Sequence, residues 1–231
     1  MALSLEERRK LSLEKLKEGI VKGNPGMAKA QTTGSIELGC PFTDIVNYVR
    51  EGVIEVIRKY LEGEYFIPEV SACSEAVSEV YDIIEPHLGR ENVPFYGIIV
   101  VGCGSGEIED FNEKVVVNLL KGMQFKVHDL GPDVPPEDFA KKVGEAKANV
   151  LVIWRDNYSS YSVANLKRIL EELNKYGLRG AVAILIGGLG FYPELADLTG
   201  GLGYAEDPAK AVHLINVLFF GKDYAKAPKS S

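Results

Sequence analysis

Apolar positions recur at helical spacing through the first third of the chain. In SLEERRKLSLEKLKEGIVKG (residues 4–23), Leu11, Leu13, Leu16, Ile20 and Val21 form a loose stripe that ends at Gly23. FTDIVNYVREGVIEVIRKYLEG (42–63) repeats the pattern with Ile45, Val49, Val53, Val56, Ile57 and Tyr60. IPEVSACSEAVSEVYDIIEPHLG (67–89) predicts a further helix, opened by Pro68 near its start and closed by Gly89. Between the first two, NPGMAKAQTTGSIELGCP (24–41) is so rich in Gly, Thr and Ser that the pattern predicts an irregular segment. Residues 1–89 therefore read as a small helical bundle with one irregular stretch.

After RENVPF (90–95), which reads as a linker, the period changes. YGIIVVG (96–102) is a continuous apolar run, as expected of a strand covered on both faces. A helix over about 112–122, a strand at FKVHDLG and a helix from Pro136 follow. Then come a strand at NVLVIW, a helix over about 162–176, a strand at AVAILIGG and a last helix at 208–219. Strands alternating with helices mean a parallel sheet covered on both sides, so residues 96–231 read as one α/β domain. Ligands of such sheets bind where loops leave the carboxyl ends of the strands. The acidic turn after the first strand, WRDNYSSYS and GGLGF all fall at those ends.

Composition narrows the function. The 231 residues are 46% hydrophobic, enough to bury a real core, and carry a net charge of -7. That charge leaves no basic stripe to neutralise phosphates, so nucleic acid is not an expected partner. The opening MALSLEERRKLSLEKL is charged and helical, unlike a signal peptide. No apolar run approaches the roughly 18 residues of a membrane span. Cys40, Cys73 and Cys103 lie far apart without a CxxC pair, as expected of reduced thiols in a cytoplasm. His87, His128 and His213 are equally scattered, so no zinc-type cluster is read.

The first loop sets a puzzle. GCGSGE has glycines at 102, 104 and 106, not the G-x-G-x-x-G spacing, and a pyrophosphate there would face Glu107 and Glu109. There is no G-x-x-x-x-G-K-[ST], and Ser105 is not flanked as a nucleophile elbow requires. The loop instead delivers Glu107, Glu109 and Asp110. Two readings stand. The acids bind a metal or do acid-base work, or they are a solvated helix start, where each favours the helix dipole by about 0.3–1 kcal/mol.

LEGEYFIPEV, GPDVPPEDF, IGGLGF and GYAEDPAKAV together resemble the corrinoid (cobalamin-binding) proteins of methyltransferase systems, in register over about residues 40–220. The resemblance implies a helical cap followed by a flavodoxin-like, doubly wound domain with a five-stranded parallel sheet. In that family the first loop carries D-x-H-x-x-G, whose histidine can ligate cobalt from below. In register through Gly106 and LGPDVPP, those three positions are Glu107, Glu109 and Asn112 here, and none matches. The family's S-x-L, which lines the slot for the cofactor's nucleotide tail, becomes Trp154, Arg155 and Asp156. The pair Gly187–Gly188, where backbone passes close to the tail, is kept. The resemblance thus implies a cofactor site of Gly106, Glu107, Glu109, Asp110, Asn112, Trp154, Arg155, Asp156, Gly187, Gly188 and Tyr204, with no assigned metal ligand and no catalytic residue.

Three expectations follow. Glu109 is a poor match for cobalt in a corrinoid. The indole of Trp154 either stacks on the base of the tail or plugs its slot. Glu109 and Asp156 are expected to pair with Arg155 across two loops as a polar floor. Among other residues, His128 is expected to pack or be exposed, His87 to serve the end of its helix, and Cys103 to be a small buried hydrophobe. Tyr48, Tyr60, Tyr65 and Phe66 are candidates to line the upper pocket that the resemblance implies under the cap, with core packing as the alternative. The implied function is a corrinoid-binding methyl carrier, base-off and without a histidine lower ligand, working with partner methyltransferase subunits. The alternative is a non-catalytic module of the same fold that has lost cobalamin or holds another tetrapyrrole or small ligand.

Overall fold

The computed structural model describes residues 3–89, 93–159 and 161–224. Among these, the chain runs α1 (Leu5–Val21), α2 (Pro25–Glu37), α3 (Phe42–Leu61), α4 (Ile67–Leu88), β1 (Ile98–Cys103), α5 (Phe111–Gly122), β2 (Lys126–Asp129) and α6 (Pro136–Ala146). It continues through β3 (Val150–Trp154), α7 (Ser162–Lys175), β4 (Ala183–Gly187), a 3-10 turn (Pro193–Leu195), α8 (Ala196–Thr199), β5 (Gly203–Ala205) and α9 (Pro208–Phe220). Two compact units result: Met1–Phe95 with Asn118–Gln124, and Tyr96–Val117 with Phe125–Ser231. Residues 90–92 of the expected linker lie outside the described residues.

In the first unit, α1 starts at a capping box. Ser4 Oγ accepts from the Glu7 amide at 3.2 Å and Glu7 Oε2 accepts from the Ser4 amide at 2.7 Å. The stripe on α3 is fully buried at Ile45, Val49, Val53, Val56 and Ile57, and α4 buries Val70, Val77, Val80 and Ile84.

The segment expected to be irregular is the helix α2, and this corrects the sequence reading. Asn24 caps it, its Oδ1 accepting from the Met27 amide at 2.9 Å, and Pro25 sits in the first turn. Its buried face is Ala28, Thr32 and Ser35 rather than large apolar residues, so no stripe announces it. Those small side chains bring α2 close to α1: a Cβ added at Gly19 would lie 2.9 Å from the Ala28 nitrogen. The hydroxyls are satisfied, Thr32 donating to the Ala28 carbonyl at 2.8 Å and Ser12 lying 2.9 Å from Ser35. Tyr65 donates to the Val21 carbonyl at 2.9 Å, whereas Phe66 is exposed.

The second unit is a five-stranded parallel sheet of order β2-β1-β3-β4-β5, the flavodoxin-like doubly wound arrangement. On one face Val100, Leu151, Ile153, Ile184 and Ile186 pack with Phe139 of α6 and Leu166, Ile169 and Leu173 of α7. Strand alternation turns Ile99, Val101, Val152 and Leu185 to the other face, and all are fully buried. Burial on both faces is why β1, β3 and β4 read as unbroken apolar runs. No helix among the described residues is long and apolar enough to cross a membrane.

Candidate functional site

Three carboxyl-end loops are tied together by hydrogen bonds of their own. The β1 loop meets the β2 loop through Cys103 N to Gly131 O (2.9 Å), Val134 N to Cys103 O (2.9 Å) and Gly106 N to Asp133 Oδ1 (2.7 Å). It meets the β3 loop through the buried Glu107, whose carboxylate accepts from the Asn157 amide at 2.9 Å and from Asn157 Nδ2 at 2.8 Å. Two donors on an inward-facing carboxylate offset the cost of removing it from water. Glu109 is exposed, 3.5 Å from Asn157 Nδ2, and Asp110 is half-buried.

Arg155 does not form the expected floor. Its buried guanidinium donates to Asn157 O (3.1 Å), Ser105 O (3.0 Å) and Ser159 Oγ (3.1 Å), and among the described residues it pairs with neither Glu109 nor Asp156. Loop carbonyls converge on the guanidinium and take its donors, so the cation serves as a backbone clamp. Asp156 instead accepts from Trp154 Nε1 at 2.9 Å and is bonded by the Asn112 side chain. Burial pushes its pKa up, these two hydrogen bonds pull it down, and Glu107 and Glu109 push it up again.

Trp154 ends β3 in register with Gly187 of β4. The indole is fully buried and lies on Gly187: a Cβ there would stand 2.2 Å from Cζ3. At Gly188 (φ 91°) a Cβ would stand 2.2 Å from the Arg155 carbonyl oxygen, so both glycines are fixed by what presses on them. Tyr204 of β5 donates to the Gly188 carbonyl at 3.3 Å.

Among the described residues, none of the three histidines makes a hydrogen bond or ring contact with the β1 loop. His87 stacks on Phe42 (5.1 Å between centroids), and His213 Nδ1 lies 3.1 Å from the Tyr224 hydroxyl. His128 is half-buried, its pKa held down by burial and by Lys142 and Lys126. Cys103 is fully buried and burial pushes its thiol well above the ordinary range. Among the described residues no cluster of His, Cys, Asp or Glu has metal-binding geometry.

Sequence reasoning missed the rim of these loops. Ile108 (78% exposed), Tyr158, Leu189 (73%) and Tyr192 present apolar surface on the loops after β1, β3 and β4, joined by Phe111 at the start of α5 and Tyr161 at the cap of α7. The Tyr158 and Tyr192 rings lie 5.3 Å apart. Large apolar residues in otherwise polar loops were the available signal, since exposed side chains of this kind are candidates for a binding surface. A separate cleft of about 310 Å³, lined among others by Leu130, Asp133, Asp138 and Lys142, contains none of the residues expected in the site.

A doubly wound sheet with hydrogen-bonded loops and an apolar rim at its carboxyl ends defines a cofactor-binding α/β protein. Its sequence matches the model of the B12 binding domain over residues 97–213 and a second B12 binding domain model over 12–85, and the chain belongs to this family. Its ligand class is accordingly a corrinoid. Among curated relatives, dimethylamine corrinoid protein 1 of Methanosarcina mazei is 27% identical over 212 residues, 91% of this chain and 97% of the relative. Trimethylamine corrinoid protein 1 of the same organism is 30% identical over 163 residues, 70% of this chain and 74% of the relative. The methanol:cobalamin methyltransferase complex MtaBC from Methanosarcina barkeri contains a chain of the same fold (TM-score 0.76, 22% identity, 100% of this chain and 92% of that one).

The residues fit a corrinoid only in part. Exposed apolar side chains at these loops suit a flat macrocycle, while Glu109 is a carboxylate rather than an imidazole and the Trp154 indole is packed solid against Gly187.

Proposed function

We propose that this chain is the corrinoid-carrying component of a methyltransferase system, holding its cofactor without a histidine lower ligand and passing it between partner methyltransferase subunits. The observation that carries the reading is the rim of Ile108, Phe111, Tyr158, Tyr161, Leu189 and Tyr192 around loops already fixed by internal hydrogen bonds. The family match on both units and relatives named as methylamine corrinoid proteins support it. A bound corrinoid supplies methyl transfer through its cobalt. The chain's own part is to hold the macrocycle on the rim, with Glu107 and Arg155 fixing the loops beneath it. The buried indole favours a second reading, a non-catalytic module of the same fold that takes another tetrapyrrole.

The test is retention of colour. Purified protein is incubated separately with hydroxocobalamin and with diaquacobinamide, desalted, and its visible spectrum recorded. Retention of at least one corrinoid is expected, and retention of neither sinks the proposal in favour of the second reading. Electron paramagnetic resonance of the bound cobalt(II) cobinamide should lack axial nitrogen splitting. Splitting that vanishes in His128→Ala would overturn the claim of no histidine ligand.

A further inference from the structure

From the position of Trp154 we infer that the protein selects its corrinoid by the macrocycle and excludes the nucleotide tail, so that its preferred ligand class is a tail-less corrinoid. The inference rests on the corrinoid reading above and goes beyond it by naming the form of ligand taken.

The indole is the largest of the fully buried side chains. Three contacts hold it. Its six-membered ring presses on Gly187 through Cζ3 and Cε3, its Nε1 donates to Asp156 at 2.9 Å, and its backbone pairs with Cys103 on one side and Gly187 on the other. Behind it Gly188 is locked against the Arg155 carbonyl, and Gly190 N donates to the same oxygen at 2.8 Å. The ends of β3 and β4 therefore cannot part to admit a base beside the indole without breaking the Arg155 N to Gly187 O hydrogen bond (2.9 Å). In a close-packed interior, an incoming base must displace Trp154 rather than share its space.

The chemistry of the tail then works against complete cobalamin. Were complete cobalamin bound with its base on cobalt, the base would add bulk between the macrocycle and the loops. With its base released, cobalamin loses that coordinate bond, and the closed slot returns no buried contact. Glu109 supplies no nitrogen to replace it. A tail-less corrinoid meets neither cost and can lie directly on the rim.

Equilibrium titrations of the full chain with diaquacobinamide and hydroxocobalamin test this, followed by isothermal calorimetry. Wild type is expected to bind cobinamide at least about tenfold more tightly than cobalamin. Trp154→Ser, which empties the slot, should reduce that preference by about tenfold or more, chiefly by tightening cobalamin binding. Trp154→Phe, which keeps a ring in the slot, should retain the preference and guards against a variant that fails to fold. Equal or tighter binding of cobalamin by wild type overturns the inference. So does a Trp154→Ser protein that loses cobalamin affinity alone, since the indole is then a stacking platform. Binding of neither corrinoid by folded wild type removes the corrinoid reading itself, a result distinct from the wrong order of affinities.

Discussion

Glu113 sits in the first turn of α5 with its side chain entirely buried, and among the described residues none donates to either carboxylate oxygen. Burial pushes its pKa up to about 8, aided by Asp129 on β2 and by Asp110, while Lys114 pulls the other way. Protonated, the acid can share its proton with Asp129, whose own oxygens accept from Lys114 Nζ (2.9 Å) and the Gly131 amide (2.7 Å). The folded chain thus keeps a proton that the unfolded chain releases near the ordinary value of 4.5. Stability from this group is fully present below that lower value and is lost as pH rises toward about 8. At about 1.4 kcal/mol per pH unit, the loss is on the order of 5 kcal/mol if the site stays rigid. Water entering around the ionised acid would lower it to about 2–5 kcal/mol. Glu113→Gln keeps the shape of the protonated acid and removes the titration. Urea unfolding followed by emission of Trp154, the one tryptophan in the chain, reports the sheet unit at pH 5, 6.5 and 8.5. The variant should lie within about 1 kcal/mol of wild type at pH 5 and exceed it by about 2–5 kcal/mol at pH 8.5. Comparing the two proteins cancels contributions from Asp156, His128 and His213, which both share. A stability difference that does not change with pH would refute the reasoning.

Gly187→Ala drives a methyl group into the Trp154 ring and should cost about 1–3 kcal/mol or more in denaturant unfolding. Combined with Trp154→Leu it should cost less than the sum of the two single changes by at least about 1 kcal/mol, and strict additivity would mean the ring moves freely. Ile108→Asp with Leu189→Asp alters side chains that are 78% and 73% exposed, so stability should change by less than about 1 kcal/mol. The same pair should weaken diaquacobinamide binding at least about tenfold, and unchanged affinity would remove the rim from the site.

The strands β1, β3 and β4 were legible because burial on both faces leaves only apolar side chains in them, and the long helices because α3 and α4 face the core along one stripe. Two elements escaped for opposite physical reasons. In α2 the buried face is Ala28, Thr32 and Ser35, where stability comes from close backbone approach and capping, neither of which has a hydrophobic period. In β5 three residues, only Ala205 fully buried, are too few to show any period. At the site, the sequence named the loops and the residues displaced from the family motif, but not their pairing. Arg155 was expected to answer nearby acids and answers carbonyls of Ser105 and Asn157, because loop conformation decides which acceptors converge on it.

The three buried thiols divide between the two units: Cys40 and Cys73 among the helices, Cys103 at the end of β1. Burial raises the pKa of all three, Cys73 to about 12, so at neutral pH they are unreactive while their surroundings stay closed. Each becomes available to an alkylating reagent only when its own unit opens. The protein therefore carries separate internal clocks for the two halves of its structure: the order in which the thiols are labelled over time gives the order in which the units come apart.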